Sequence, residues 1–257
     1  MLWDRCLALD FRKRSKTILD TENNVSDLNL NKGWANMFKK SKSTELDNKE
    51  VIQKLNLREG EYFYQTPFMI WKDDPITIYN ADSEEITFSP WFKSKFQRWI
   101  YYMGGGSYQG TVINSEHHQV WLKRANWFMY NAKYDVYLDG EKIGVFRKQK
   151  PFKEKGFKKQ LAYKLFIDER EFELSNPYLS TEIEITENDK TFFEAKRSFF
   201  DLGKNKVTKK RGEKHRIHIT RNAIDYPPEL WLALYAQAIM NLHIERSQSA
   251  SSAGAGS

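Results

Sequence analysis

The stretch DYPPELWLALYAQAIMNLH, Asp225 to His243, contains a run from Leu230 to Met240 in which only Gln237 is strongly polar. An amphipathic surface helix keeps a polar face turned to water, and a bilayer-spanning helix needs roughly 20 consecutive apolar residues. The run fits neither pattern. Pro227 and Pro228 mark a helix start, because the fixed φ of proline suits the first helical position. A short helix that is apolar on every side needs an apolar container.

The rest of the chain supplies candidates for the walls of that container. In YDVYLDGEKIGVFRK, Asp139-Gly140 separates two extended runs, and Gly accepts the positive φ of a type I′ hairpin turn. LAYKLFIDEREFEL repeats the design around Asp168, and EIEITENDKTFFEAKRSF repeats it around Asn188-Asp189. Further strands are expected at Ile76–Tyr79, Gln97–Tyr102, Gly110–Ile113, Gln119–Arg124 and His215–Thr220, with a turn at Gly104–Ser107. About eleven or twelve antiparallel strands result. A closed barrel of that size is too wide for inward side chains alone to fill. A helix of about 16 residues, some 24 Å long, suits the space. The expected fold is therefore mainly β, an antiparallel barrel of about twelve strands enclosing a hydrophobic C-terminal helix. Trp231, Leu234, Ala238 and Leu242 should line one side of the helix, and Leu232, Tyr235 and Ile239 the others.

The barrel is expected to span residues 61–245. Residues 1–60 lack a sustained hydrophobic period and read as a weakly ordered extension with one short helix near Lys49 to Leu55. Residues 246–257 read as a flexible tail.

Serial hairpins with DG-type turns, ending in D-x-P-x-x-L-x-L-A-L-x-x-x-A-I, resemble the tubby-like superfamily of tubby C-terminal domains, plant LURP-one-related proteins and phospholipid scramblases. The resemblance rests on YDVYLDGEKIGVF, EITENDKTFFEAKRSFF and IDYPPELWLALYAQAI, with Asp225, Leu230, Leu232, Leu234 and Ile239 at the matching places, and it covers about Tyr62 to His243. It implies a twelve-stranded barrel around a buried helix and, in tubby proteins, phosphoinositide binding. The phosphoinositide ligands of tubby proteins have no position-by-position match here, so none is carried over. The cysteine-rich segment and calcium-binding loop of scramblases have no counterpart.

Charge is concentrated along the chain. The formal net charge is +7, yet Arg147–Gln160 and Lys204–Arg216 each hold seven Lys and Arg against one Glu. Two basic segments thus sit on a mildly acidic body, which favours an anionic partner. Each Lys or Arg near an anionic bilayer contributes about 1 kcal/mol. Phe152 and Phe157 interleave with the first set, so that their rings can dip below lipid headgroups. The candidate anion contacts are Lys148, Lys150, Lys153, Lys155, Lys158, Lys159, Lys209, Lys210 and Arg211. The sequence reads as a non-enzymatic binding or adaptor protein that meets anionic membrane lipid or an acidic partner protein. A lone Cys6 and the charged opening residues Asp4 and Arg5 favour a cytoplasmic location, with peripheral membrane contact.

Rival chemistries have weaker signals. Nucleic acid could meet Lys209, Lys210 and Arg211, but no RNA- or DNA-binding motif accompanies them. Glu194-x-Lys196 puts a carboxylate and an ammonium on one strand face, as in metal-dependent nucleases, yet the partner carboxylates Asp168 and Asp189 read as turn residues, which favours a cross-strand ion pair. The separations His117/His118 and His215/His218 are odd, so each pair points to opposite strand faces and cannot chelate. No cofactor, metal site or catalytic residue is expected.

Overall fold

The computed structural model describes residues 49–254 apart from 68–74, 83, 103–109, 127–131, 150–152, 155–156, 159–160, 177–180, 199–202 and 221–224. Residues 49–55 are helical, as expected. The strands follow as β1 (Glu61–Pro67), β2 (Ile76–Asn80), β3 (Ile86–Trp91), β4 (Gly110–Asn114), β5 (Gln119–Arg124), β6 (Lys133–Leu138) and β7 (Glu141–Lys148). After the two-residue strands β8 (Lys153–Glu154) and β9 (Phe157–Lys158) come β10 (Leu161–Ile167), β11 (Arg170–Asn176), β12 (Glu182–Glu187), β13 (Lys190–Arg197) and β14 (Gly212–Ile219). Twelve of them close into one antiparallel barrel in the order β1-β14-β13-β12-β11-β10-β7-β6-β5-β4-β3-β2, with β2 paired back to β1. β8 and β9 pair only with each other.

The three quoted hairpins form as their turns dictate. Asp139 and Gly140 have φ of 51° and 89°, and Asn188 and Asp189 have 49° and 63°. Both central residues of each turn lie in the left-handed region, so the twist of a type I′ turn matches that of its strands. Asp168, at φ 51°, opens the turn between β10 and β11.

Alternation along the strands sends Ile78, Ile113, Val136, Leu165, Ile185 and Ile217 inward, each at most 1% exposed. The C-terminal helix, Pro228–Gly254, fills the space they surround. Every residue from Leu230 to Met240 is at most 3% exposed. The Trp231 ring meets Phe172 of β11 and Phe192 of β13 at centroid distances of 5.0 and 4.8 Å, and Tyr235 meets Phe193 of β13 at 5.6 Å. Farther along, Asn241 accepts a hydrogen bond from the Tyr134 hydroxyl of β6 and donates to that of Tyr163 on β10, both at 3.0 Å. The helix also packs on β4 and β5. Contacts to strands all around the ring place it inside the barrel. The polar exception in the run, Gln237, donates its Nε2 to Asn241 at 3.1 Å, while its Oε1 is buried without a hydrogen-bond partner.

Two expectations are corrected. Gln97–Tyr102 is not a strand but part of a helix, Lys95–Tyr102. Ser94 starts it: its Oγ accepts from the Gln97 N–H at 3.2 Å, which caps an otherwise orphaned donor, and its carbonyl accepts the first intrahelical bond from the Arg98 N–H at 3.1 Å. The C-terminal helix, in turn, continues to Gly254 through residues expected to form a flexible tail. Its 27 residues exceed the expected 16 or so because Ser, Gln and Ala do not interrupt a helix already begun. The turn expected at Gly104–Ser107 lies outside the described residues, apart from its flanks.

Candidate functional site

In a closed up-and-down ring, successive connections alternate between the two ends. One end, here the turn end, holds residues 81–85, 115–118, 139–140, 168–169 and 188–189. The connections 68–75, 92–109, 125–132, 149–160, 177–181 and 198–211 leave and re-enter the barrel at the other end, the rim. The turn-end connections contain eight Asp and Glu, no Lys or Arg and no aromatic residue. Those at the rim contain fourteen Lys and Arg, four Asp and Glu, and sixteen aromatic residues. Among the described residues these connections carry eight Asp and Glu at the turn end and ten Lys and Arg against one Glu at the rim, so the strand-to-strand connections differ in charge between the two ends; Tyr226, in the lead-in to the C-terminal helix, is an aromatic residue at the turn end.

Thirteen of those fourteen cations lie in three connections, 92–109, 149–160 and 198–211. Four strands separate each from the next around the ring, so the three divide the rim into thirds. Both basic segments seen in the sequence thus open at the same end.

The connection before β14 is built on a buried glutamine. Gln65 of β1, 4% exposed, donates through Nε2 to the carbonyls of Lys210 and Gly212 at 3.2 and 3.0 Å. Its Oε1 accepts from Thr208 Oγ1 at 2.6 Å and from Asn205 Nδ2 at 3.3 Å. Asn205 Oδ1 takes the Val207 N–H at 2.9 Å. With the backbone of this loop tied inward, Lys204, Lys206, Lys209, Lys210 and Arg211 are all exposed. Lys209 has φ 57°, the strain of a tight loop held by those bonds.

Lys148 has a different job from the one its sequence suggests. Its ammonium pairs with Glu245 of the C-terminal helix and its side chain is only 14% exposed. It ties the plug to β7 instead of facing an anion. Glu213, in the second basic segment, does the same from β14: it contacts His243 Nε2 at 3.0 Å and Arg197 at 3.4 Å. Burial pushes the Glu213 carboxyl up, but His243, His215 and Arg197 outweigh it and hold the pKa below the usual carboxylate value. Lys153 and Lys158 are register partners across β8 and β9. Lys150, Lys155 and Lys159 lie outside the described residues.

Next to this clamp, His215 is fully buried. Its Nδ1 lies 2.8 Å from the Tyr235 hydroxyl and its Nε2 lies 2.9 Å from Thr66 Oγ1, and its ring stacks on Tyr64 at 4.3 Å. Since each hydroxyl can donate or accept, the neutral imidazole is satisfied in either tautomer. Burial lowers its pKa to about 3. His218, three residues on, is exposed on the outer face, as the odd spacing predicts.

The third rim connection carries the helix Lys95–Tyr102. Phe96 and Trp99 are 66% and 57% exposed, with ring centroids 6.0 Å apart and planes at 21°. Lys93, Lys95 and Arg98 around them are exposed too. Where β3 leads into the first turn of the helix lies an open cleft of about 460 Å³, lined by Trp91, Phe92, Lys93, Ser94, Lys95 and Arg98 among others. Sequence reading missed this element. Its signal is Ser94-x-x-Gln97, the spacing of a helix capping box.

Glu194 and Lys196 do not converge on a shared ligand. Lys196 pairs with Glu182 across β12 and β13 at 2.9 Å, and Glu194 faces Glu184 and His218 in register. Among the described residues, no group of three or more His, Cys, Asp or Glu is placed to hold a metal ion. A groove on the outer wall, about 360 Å³ and lined by Leu55, Leu57, Phe63, Lys196, Lys214 and Arg216 among others, also brings cations to apolar surface. There Lys196 and Arg216 are already paired, the latter with Glu61 at 2.9 Å. Among the described residues, no helix is long and apolar enough to cross a membrane.

No family model matches the chain, and no curated protein and no solved structure matches it significantly.

Proposed function

We propose that this chain is a tubby-like barrel acting as a non-enzymatic, cytoplasmic binding protein that docks its rim on an anionic phospholipid surface. The separation of charge between the two ends carries this reading. A barrel closed around a helix is the architecture that the family resemblance implies. That helix occupies the interior, where a barrel of this width would otherwise hold a ligand, which directs binding to the outside. Rim cations need not all touch the surface at once, because electrostatic attraction reaches across roughly 8–10 Å at physiological salt. Several cations at about 1 kcal/mol each give reversible, salt-sensitive attachment.

Sedimentation with vesicles of phosphatidylcholine containing ~30% phosphatidylserine, compared with phosphatidylcholine alone across a salt series, tests it. Retention on the anionic vesicles that weakens as salt rises is expected, together with its loss in Lys209→Glu/Lys210→Glu/Arg211→Glu. Equal retention on both vesicles, or no retention combined with metal-dependent cleavage of DNA or RNA that Glu194→Ala abolishes, would overturn it.

A further inference from the structure

Cations hold a protein above a bilayer, but they give no reason for exposed aromatic rings. Large apolar side chains left in contiguous exposure mark an interaction site. Among the described residues the exposed large hydrophobics are Phe96, Trp99 and Phe166. Two of the three stack on one short helix at the positive end.

We infer that the helix Lys95–Tyr102 is an interfacial wedge: Phe96 and Trp99 enter the boundary between headgroups and acyl chains of an anionic bilayer while Lys93, Lys95 and Arg98 meet lipid phosphates. The inference rests on the rim reading above and adds the apolar step to it.

The geometry fits an interfacial helix. Residues three apart lie on one helix face, so Phe96 and Trp99 present a single aromatic edge. Trp and Phe with Lys or Arg beside them are the composition of helices that lie in a membrane interface. The occupant is lipid and not an acidic protein on grounds of composition. Among the described residues of the rim connections, ten Lys and Arg stand against one Glu, and they are spread over three connections instead of one pocket. Cations spread around one end, with the exposed rings of Phe96 and Trp99 among them, match a flat surface that is anionic outside and apolar beneath. The open cleft at the start of the helix, with Lys93, Lys95 and Arg98 on its walls, offers room for a headgroup.

The test uses the full chain and the same two vesicle compositions. Phe96→Ser/Trp99→Ser should weaken binding to the anionic vesicles by about tenfold to a hundredfold, the worth of two aromatic side chains withdrawn from lipid. Its thermal unfolding should match the parent, since both side chains face solvent. Phe166→Ser, an exposed ring on the wall at β10, should bind as the parent does. Lipids brominated near the headgroup should quench tryptophan fluorescence, and Trp99→Phe should remove a measurable share of that quenching. If the parent chain ignores anionic vesicles, the rim reading fails and the wedge with it. If the parent binds with salt sensitivity while Phe96→Ser/Trp99→Ser binds equally well, the wedge alone is refuted. Equal losses of binding to vesicles and to immobilised polyglutamate would also refute it, by showing that the rings serve a protein partner.

Discussion

The two ends of the barrel solve the same problem, joining antiparallel strands, with opposite materials. At the turn end, β6 to β7, β10 to β11 and β12 to β13 are each joined by two residues, and the connections are acidic. Arg170 closes that end: it bonds Glu187 at 2.6 and 2.8 Å and Asp225 at 2.6 Å, and lies 5.1 Å from the centre of the Phe172 ring. The lead-in to the plug is thereby fixed to β11 and β12. At the rim the connections are longer, cationic and aromatic, and the plug is held by Lys148, Glu213 and the tyrosines bonded to Asn241. Short turns need only the right φ values. Long connections cost more chain entropy, and filling them with exposed cations and rings makes no contribution to packing. The plug is fastened at both ends, and the contrast lies in the connections: short acidic turns at one end, and at the other the longer cationic ones to which recognition is proposed to belong.

The largest effect should come from breaking what both ends share. Leu234→Asp puts a charge on the helix at a position 1% exposed, and should cost more than about 4 kcal/mol, enough to unfold the barrel in a urea titration. A variant that stays folded with parental stability would mean the helix is not enclosed.

An acid titration separates the two ends. The unfolded chain protonates His215 near 6.5, whereas the folded chain does so only near 3. Its contribution is therefore complete above pH 6.5 and is lost as pH falls toward 3, at roughly 1.4 kcal/mol per pH unit. At the turn end, hydrogen bonding to Arg170 lowers the Glu187 pKa below 4.5, so that contribution is intact above 4.5 and declines only below it. Urea unfolding between pH 6.5 and 4.5 should thus show a slope that His215→Phe flattens and Arg170→Ala leaves in place. A slope unchanged in His215→Phe would remove His215 as its source.

The smallest effect is expected at Asp225, which is 83% exposed on the side chain despite its contact with Arg170. Asp225→Ala should cost less than about 1 kcal/mol in thermal or urea unfolding, because solvent screens the pair and Glu187 remains to hold Arg170. A larger loss would make this exposed pair a principal fastening of the plug.

Local chemistry explains which parts of this structure could be read from sequence. Asp139-Gly140 and Asn188-Asp189 specify hairpins because positive φ is a property of two adjacent residues, and the run Leu230–Met240 specifies burial because no face of it is polar. Gln97–Tyr102 was misread because apolar and aromatic residues fit strand and helix alike over so short a span, while the deciding residue, Ser94, lies outside the run. Lys148 was misassigned because its partner, Glu245, is 97 residues away. Gln65, which organises the loop bearing Lys209, Lys210 and Arg211, looks like any strand glutamine until β1 is paired with β14. The rim itself depends on ring closure: three connections far apart in sequence meet at one end only once the strand order is known.

Hydrogen–deuterium exchange of the intact chain with and without vesicles containing ~30% phosphatidylserine examines the division between the ends most directly. Protection should grow over residues 93–99 and 203–211 when vesicles are added, while 139–140, 168–169 and 188–189 exchange as before. Protection at those acidic turns, or none at either end under conditions where the protein sediments with the vesicles, would contradict the assignment of recognition to the rim.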